Sequence, residues 1–162
     1  MQIIIMTRDR YLEYGLMCML SGYRLTTGRE LFDAGKRRLP LPEDSYVILC
    51  DCNLERLTYC MFCGRRFLVI PVSSVRCLTD IRQAIRRGAW LFGHTARPLT
   101  RTEMVVVFGV VFHEYGFTFL ADQLGISMKT VCAHLYNAME KSGLRGVSVK
   151  YLCRPQTGKK PV

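Results

Sequence analysis

The amino-acid sequence predicts an α/β unit over residues 1–88 and an all-α unit over residues 99–153, with a linker at 89–98 and a basic tail at 154–162. Three observations lead there. β-Branched apolar runs alternate with helically spaced apolar stripes up to Gly88, only helical spacing remains after Pro98, and Gly125 divides that second stretch into two amphipathic pieces.

The first strand is expected at Gln2–Met6, a β-branched run ended by the polar stretch Thr7-Arg8-Asp9-Arg10. Tyr11, Leu12, Leu16, Met19 and Leu20 then recur at helical spacing up to Gly22. Leu39-Pro40-Leu41-Pro42 reads as a rigid connector, Tyr46–Cys50 as a second strand ending at Asp51, and Phe67–Val72 as a third. Leu78, Ile81, Ala84 and Ile85 form the apolar stripe of a helix whose other face carries Arg82, Arg86 and Arg87, with Gly88 as its C-cap. Val105–Phe112 has strand propensity, because β-branched side chains lose rotamer freedom in a helix, but its setting among helical stretches predicts a helix.

Composition narrows the function classes. A chain of 162 residues with 49% hydrophobic content can bury packed cores, so it is not a disordered tail. Its net charge of +10 favours a polyanionic partner, nucleic acid before an anionic membrane surface, because neutralising phosphates releases counterions. No run approaches the roughly 18 apolar residues needed to span a bilayer, and charge follows a short apolar run at the start, the reverse of a signal peptide. A cytoplasmic location is therefore expected, in which the eight cysteines read as buried small hydrophobes, metal ligands or thiol sensors rather than disulfides.

The chemistry of recognition concentrates between Phe117 and Ser142. Phe119, Leu120 and Leu124 are expected on one apolar face, Gly125 breaks the helix, and Ile126 plugs the corner. Ser127 is placed to cap the next helix by accepting a hydrogen bond from the backbone N–H of Lys129 or Thr130. In that helix Val131, Leu135, Ala138 and Met139 line one side, while Lys129, Cys132, Ala133 and Tyr136 face the other way, and Asn137 extends that second face. Such a pair of helices is a helix-turn-helix, whose second helix enters the major groove of DNA.

These residues carry a resemblance. Leu99, Thr100 and Glu103, then Ala121, Leu124, Ile126-Ser127, Lys129-Thr130-Val131, His134, Lys141 and Gly143-Leu144 are similar in type and spacing to the LuxR-type (NarL/FixJ) helix-turn-helix regulators, over about a third of the chain. The resemblance implies a DNA-binding transcription regulator whose contacts come from Ser127, Lys129, Thr130, Cys132, Ala133, His134, Tyr136, Asn137 and Lys141. Thr102 stands where the family usually has arginine, and the loop around Tyr115–Thr118 is one residue longer than is usual for the family. Cys132 stands where a DNA-contacting lysine is common, and a thiol neither neutralises phosphate nor donates strongly to guanine. Lys129, Tyr136 and Asn137 are left with more of the reading, and His134 is expected in a structural role near the DNA backbone.

The first half resembles, in part, the receiver domain that precedes such DNA-binding domains, here shortened by a strand-helix unit. Phosphoryl transfer to an aspartate needs Mg²⁺ held by carboxylates after the first strand, and Thr7 and Arg8 occupy those positions. Asp51 is accordingly read as a polar residue at a strand end, not as a phosphoacceptor, and the half as a degenerate receiver for homodimerisation or pairing with a response regulator. Cys50, Cys52, Cys60 and Cys63 offer four thiols, but no spacing demands zinc, and Cys50 and Cys52 sit two apart on one side of a strand, as buried hydrophobes would. No metal and no cofactor is expected. An enzyme is not expected either, since no nucleophile-base pair, phosphate loop or paired carboxylates occur at a useful spacing. The competing expectation to DNA binding is an interaction protein that pairs with or sequesters another regulator without strong DNA binding of its own.

Overall fold

β-Branched, apolar runs favour extended backbone, and the longest of them build the centre of a sheet. β1 (Gln2–Met6) pairs in parallel with β2 (Leu25–Thr27) on one side and β3 (Ser45–Cys50) on the other. β4 (Arg66–Pro71) continues parallel to β3, and β5 (Leu91–Phe92) closes the edge antiparallel, giving the order β2-β1-β3-β4-β5. Residues 3–6 and 46–50 are buried throughout, as a parallel sheet covered on both faces requires. The computed structural model describes residues 1–31, 45–62, 64–93 and 97–154. The expected connector Leu39–Pro42, Cys63 and the tail from residue 155 onward lie outside them.

Eight α-helices accompany the sheet among the described residues: α1 (Arg10–Met19), α2 (Gly28–Leu31), α3 (Glu55–Met61), α4 (Leu78–Arg87), α5 (Arg101–His113), α6 (Phe117–Leu124), α7 (Met128–Lys141) and α8 (Val149–Leu152). Asp9 caps α1, its Oδ1 accepting from the N–H groups of Tyr11 (2.9 Å) and Leu12 (3.1 Å). α4 ends at Gly88 for a reason other than a left-handed turn. A Cβ there would lie 2.3 Å from the Ala84 carbonyl oxygen and 2.6 Å from Leu68 Cδ1, so only glycine lets the chain pass this close to β4.

Strand alternation sorts the core into two layers. Ile3, Ile5, Val47, Leu49, Leu68 and Ile70 point to one face, against Leu16 and Leu20 in the α1 region and Ile81 of α4. Ile4, Met6, Tyr46, Ile48 and Phe67 point to the other, against α3 and α5, and that cluster continues without a break to Leu120 of α6 and to Val131, Leu135 and Ala138 of α7.

α5 therefore lies between the sheet and α7. Every residue from Glu103 to Gly109 is buried, as are Val111 and Phe112, and a helix enclosed on all sides needs no polar stripe. That is why Val105–Phe112 is helical despite its β-branched composition: tertiary burial outweighs a propensity difference of under about 1 kcal/mol per residue. Its first turn is fixed by a reciprocal cap, Thr100 Oγ1 accepting from Glu103 N–H (3.2 Å) and Glu103 Oε2 accepting from Thr100 N–H (2.9 Å).

The far end of α5 is held by the first half of the chain. Arg8 Nε donates to the Val111 carbonyl (2.9 Å), its Nη2 meets Glu114 Oε1 (2.9 Å), and Arg29 Nη1 donates to the Phe112 carbonyl. Two guanidinium groups thus satisfy carbonyls at the negative end of the helix, where cations are favoured.

Candidate nucleic-acid interface

The turn between α6 and α7 forms because Gly125 adopts a left-handed conformation (φ 65°), letting Ile126 N–H return to the Ala121 carbonyl at 3.0 Å. Ser127 then starts α7, its Oγ accepting from Thr130 N–H at 3.1 Å, so Thr130 rather than Lys129 is the capped residue. Thr130 Oγ1 lies 2.8 Å from the same hydroxyl.

α7 has two distinct sides. Val131, Leu135, Ala138 and Met139 are buried, as their spacing predicts. Lys129, Cys132, Ala133, Tyr136 and Asn137 are exposed together, Tyr136 to 52%, while Thr130 and His134 are half-buried at the margin. Lys141 is not part of that free surface. Its ammonium meets Glu103 Oε2 at 2.8 Å and Oε1 at 2.9 Å and donates to the Pro98 carbonyl at 3.2 Å, with only 18% of its side chain exposed. Burial pushes the Glu103 carboxyl up, but the Lys141 ammonium and the Thr100 N–H outweigh burial and hold it below its ordinary value.

Phe119, expected on the inward face of α6, points outward instead. It is 43% exposed, and its ring packs against Tyr115 with centroids 4.5 Å apart, while Leu120 and Ala121 take the buried side. Sequence reading also missed a groove of about 420 Å³ beside the exposed face of α7, where Cys132, Tyr136 and Met139 meet Arg145, Val147 and Val149. Its far wall depends on how the chain turns back at Gly143 and Gly146 (φ 70° and 77°), which no periodicity announces.

The carboxyl ends of β1 and β3 open into a second crevice, of about 350 Å³, lined by Thr7, Arg8, Asp9, Leu12, Asp51, Val72 and Ser73. Asp51 is 4% exposed and makes no cap of the 3₁₀ turn that follows it; its Oδ2 accepts from Arg8 N–H at 3.0 Å, tying β3 to the loop after β1. Burial raises the Asp51 carboxyl above its ordinary value against the opposing hydrogen bonds from Arg8 and Thr7.

The cysteines do not converge among the described residues. Cys50 is buried on β3, with its Sγ 3.5 Å from Thr58 Oγ1, and burial pushes its thiol up to about 12. Cys60 is buried, but Cys52 is exposed, because the chain turns at Asp51 and carries it off the side of the strand that Cys50 occupies. No group of three or more metal-ligating side chains forms among the described residues. None of the described helices is long and apolar enough to cross a membrane.

No protein-family model, no curated protein and no solved structure matches the chain.

Proposed function

We propose that this protein is a sequence-specific DNA-binding transcription regulator of the LuxR type, acting in the cytoplasm without phosphorylation and as a dimer. In this reading α6, the Gly125 turn and α7 serve as a helix-turn-helix, and α7 enters the major groove. The carrying observation is the two-sidedness of α7: a Ser127-capped helix with Val131, Leu135 and Ala138 inside and Lys129, Ala133, Tyr136 and Asn137 together outside. The net charge of +10 supplies the sequence-independent attraction that such a contact needs.

The α/β half is a degenerate receiver in this reading. Its parallel strands follow the order of doubly wound sheets up to β4, and Thr7 and Arg8 stand where Mg²⁺ would need carboxylates. Pairing with a second copy or with a response regulator follows from the same resemblance.

A specific observation favours a second reading. With Lys141 held by Glu103 and Cys132 in place of a cation, Lys129 is the one lysine or arginine on the exposed face of α7 among the described residues. So sparse a charge suits an interaction protein that completes or sequesters another regulator.

Gel shifts over a salt series with genomic fragments, with and without a candidate partner regulator, separate the two. Under the DNA-binding reading, Lys129→Ala weakens all sequences alike and lowers the salt slope by about one, while Asn137→Ala relaxes base preference. Affinity unchanged by both substitutions rejects this face and favours the interaction protein.

A further inference from the structure

Among the described residues, part of the backbone edge of β4 is left open. β3 pairs with it along its full length, from Ser45↔Arg66 to Cys50↔Pro71, whereas β5 covers only Arg66 and Phe67. From Leu68 to Pro71 no described segment pairs with the outer edge.

This open stretch floors a slot of about 490 Å³. Tyr59 of α3 walls it on one face of the sheet, and Ala84 and Arg87 of α4 wall it on the other, with Ala89 at its end. In a doubly wound sheet of this strand order the next position belongs to another parallel strand. Here the chain leaves α4 through Gly88 and returns antiparallel for two residues only, so two helix layers flank an unpaired edge.

We propose that this slot is a docking site for an extended segment of a partner protein, bound by β-strand addition to Leu68–Pro71, the segment being mainly apolar with a carboxylate placed to meet Arg87. Unpaired edge amides and carbonyls supply the main-chain recognition. The walls supply the side-chain preference: Tyr59, Val69 and Ala84 line the slot with apolar surface, and Arg87 is exposed and forms no ion pair among the described residues. A second copy of this chain fits less well. Its own β4 edge is recessed between α3 and α4, and its β5 is two residues long, so neither offers a free strand of the length the slot takes.

The test uses the full chain and two fluorescein-labelled decapeptides of alternating Val and Thr, one with Asp at both ends and one with Lys at both ends, followed by fluorescence anisotropy. The Asp peptide is expected to bind saturably and about tenfold tighter than the Lys peptide, a difference of about 1.4 kcal/mol. Arg87→Glu abolishes that preference, whereas Arg82→Glu, an equal change of net charge on the same helix outside the slot, retains it. Ala84→Phe, which fills the slot, removes binding of both peptides, with circular dichroism verifying the fold. No saturation at millimolar peptide, equal effects of Arg87→Glu and Arg82→Glu, or full binding by the Ala84→Phe variant would each overturn the proposal. So would a dimer in sedimentation that Ala84→Phe abolishes, since a second copy would then be the occupant.

Discussion

Gly28 lies directly against the ring of Phe112: a Cβ added to Gly28 would stand 2.7 Å from Phe112 Cζ. This contact joins α2 of the first half to α5 of the second, and Phe112 is 1% exposed, so its ring has nowhere to move. Gly28→Ala is expected to cost about 1–3 kcal/mol by overpacking. Phe112→Leu should relieve much of that cost, so the double variant is more stable than the sum of the single losses predicts, as urea unfolding of all four proteins would measure.

Lys141 is expected to act on stability more than on DNA. Lys141→Met strands the buried Glu103 carboxylate and should cost about 2 kcal/mol at neutral pH, below the full penalty of a deeply buried pair because the ammonium is partly exposed. Glu103 has a depressed carboxyl in the fold, so its contribution is present above the ordinary carboxylate range and is lost as pH falls through the folded value. The gap between wild type and variant in thermal melts should narrow in acid. A constant gap from pH 7 to strongly acidic buffer would disprove the assignment.

Asp51 gives the opposite sign. Its folded carboxyl is raised by burial, so its charged form disfavours the fold, and that penalty grows as pH rises through the folded value. Asp51→Asn keeps an acceptor for Arg8 N–H and should raise the melting temperature slightly at neutral pH, with the advantage fading in acid. Incubation with acetyl phosphate should add no phosphoryl group to the wild type, because Thr7 and Arg8 offer no carboxylates for Mg²⁺; intact mass spectrometry reads this directly.

Cys132 tests the recognition face from the other direction. The side chain is exposed beside Tyr136, so Cys132→Lys adds a cation without disturbing the core. Under the DNA-binding reading, affinity should rise severalfold at low salt, with the salt slope steeper by about one. Unchanged affinity would mean that this position points away from phosphate.

Legibility in the sequence followed the range of the interactions. β1, β3 and β4 announce themselves as short continuous β-branched apolar runs and α1, α4 and α7 through a period of 3.6 residues, while the Ser127 cap and the outward set Lys129, Cys132, Ala133 and Tyr136 come from the same helical geometry. β2, α2 and β5 are two to four residues long, too short for a period to register. α3 hid in a cysteine-rich stretch whose inward residues, Leu57, Thr58, Cys60 and Met61, mix polar and apolar types. The Lys141–Glu103 pair spans 38 residues, and Phe119 packs on Tyr115 of a separate loop, so neither contact leaves a local pattern in the sequence.

The enclosure of α5 has a thermodynamic corollary. A helix with no solvent-facing stripe cannot persist once either neighbour melts, so the sheet and α7 should lose structure in one cooperative transition rather than two. Heating should show a single calorimetric peak, and a fragment starting at residue 99 should fail to hold native helicity. Any ligand gripping α7 alone would then slow hydrogen exchange at the amides of β1 and β3, because its binding energy is shared across the whole cooperative unit.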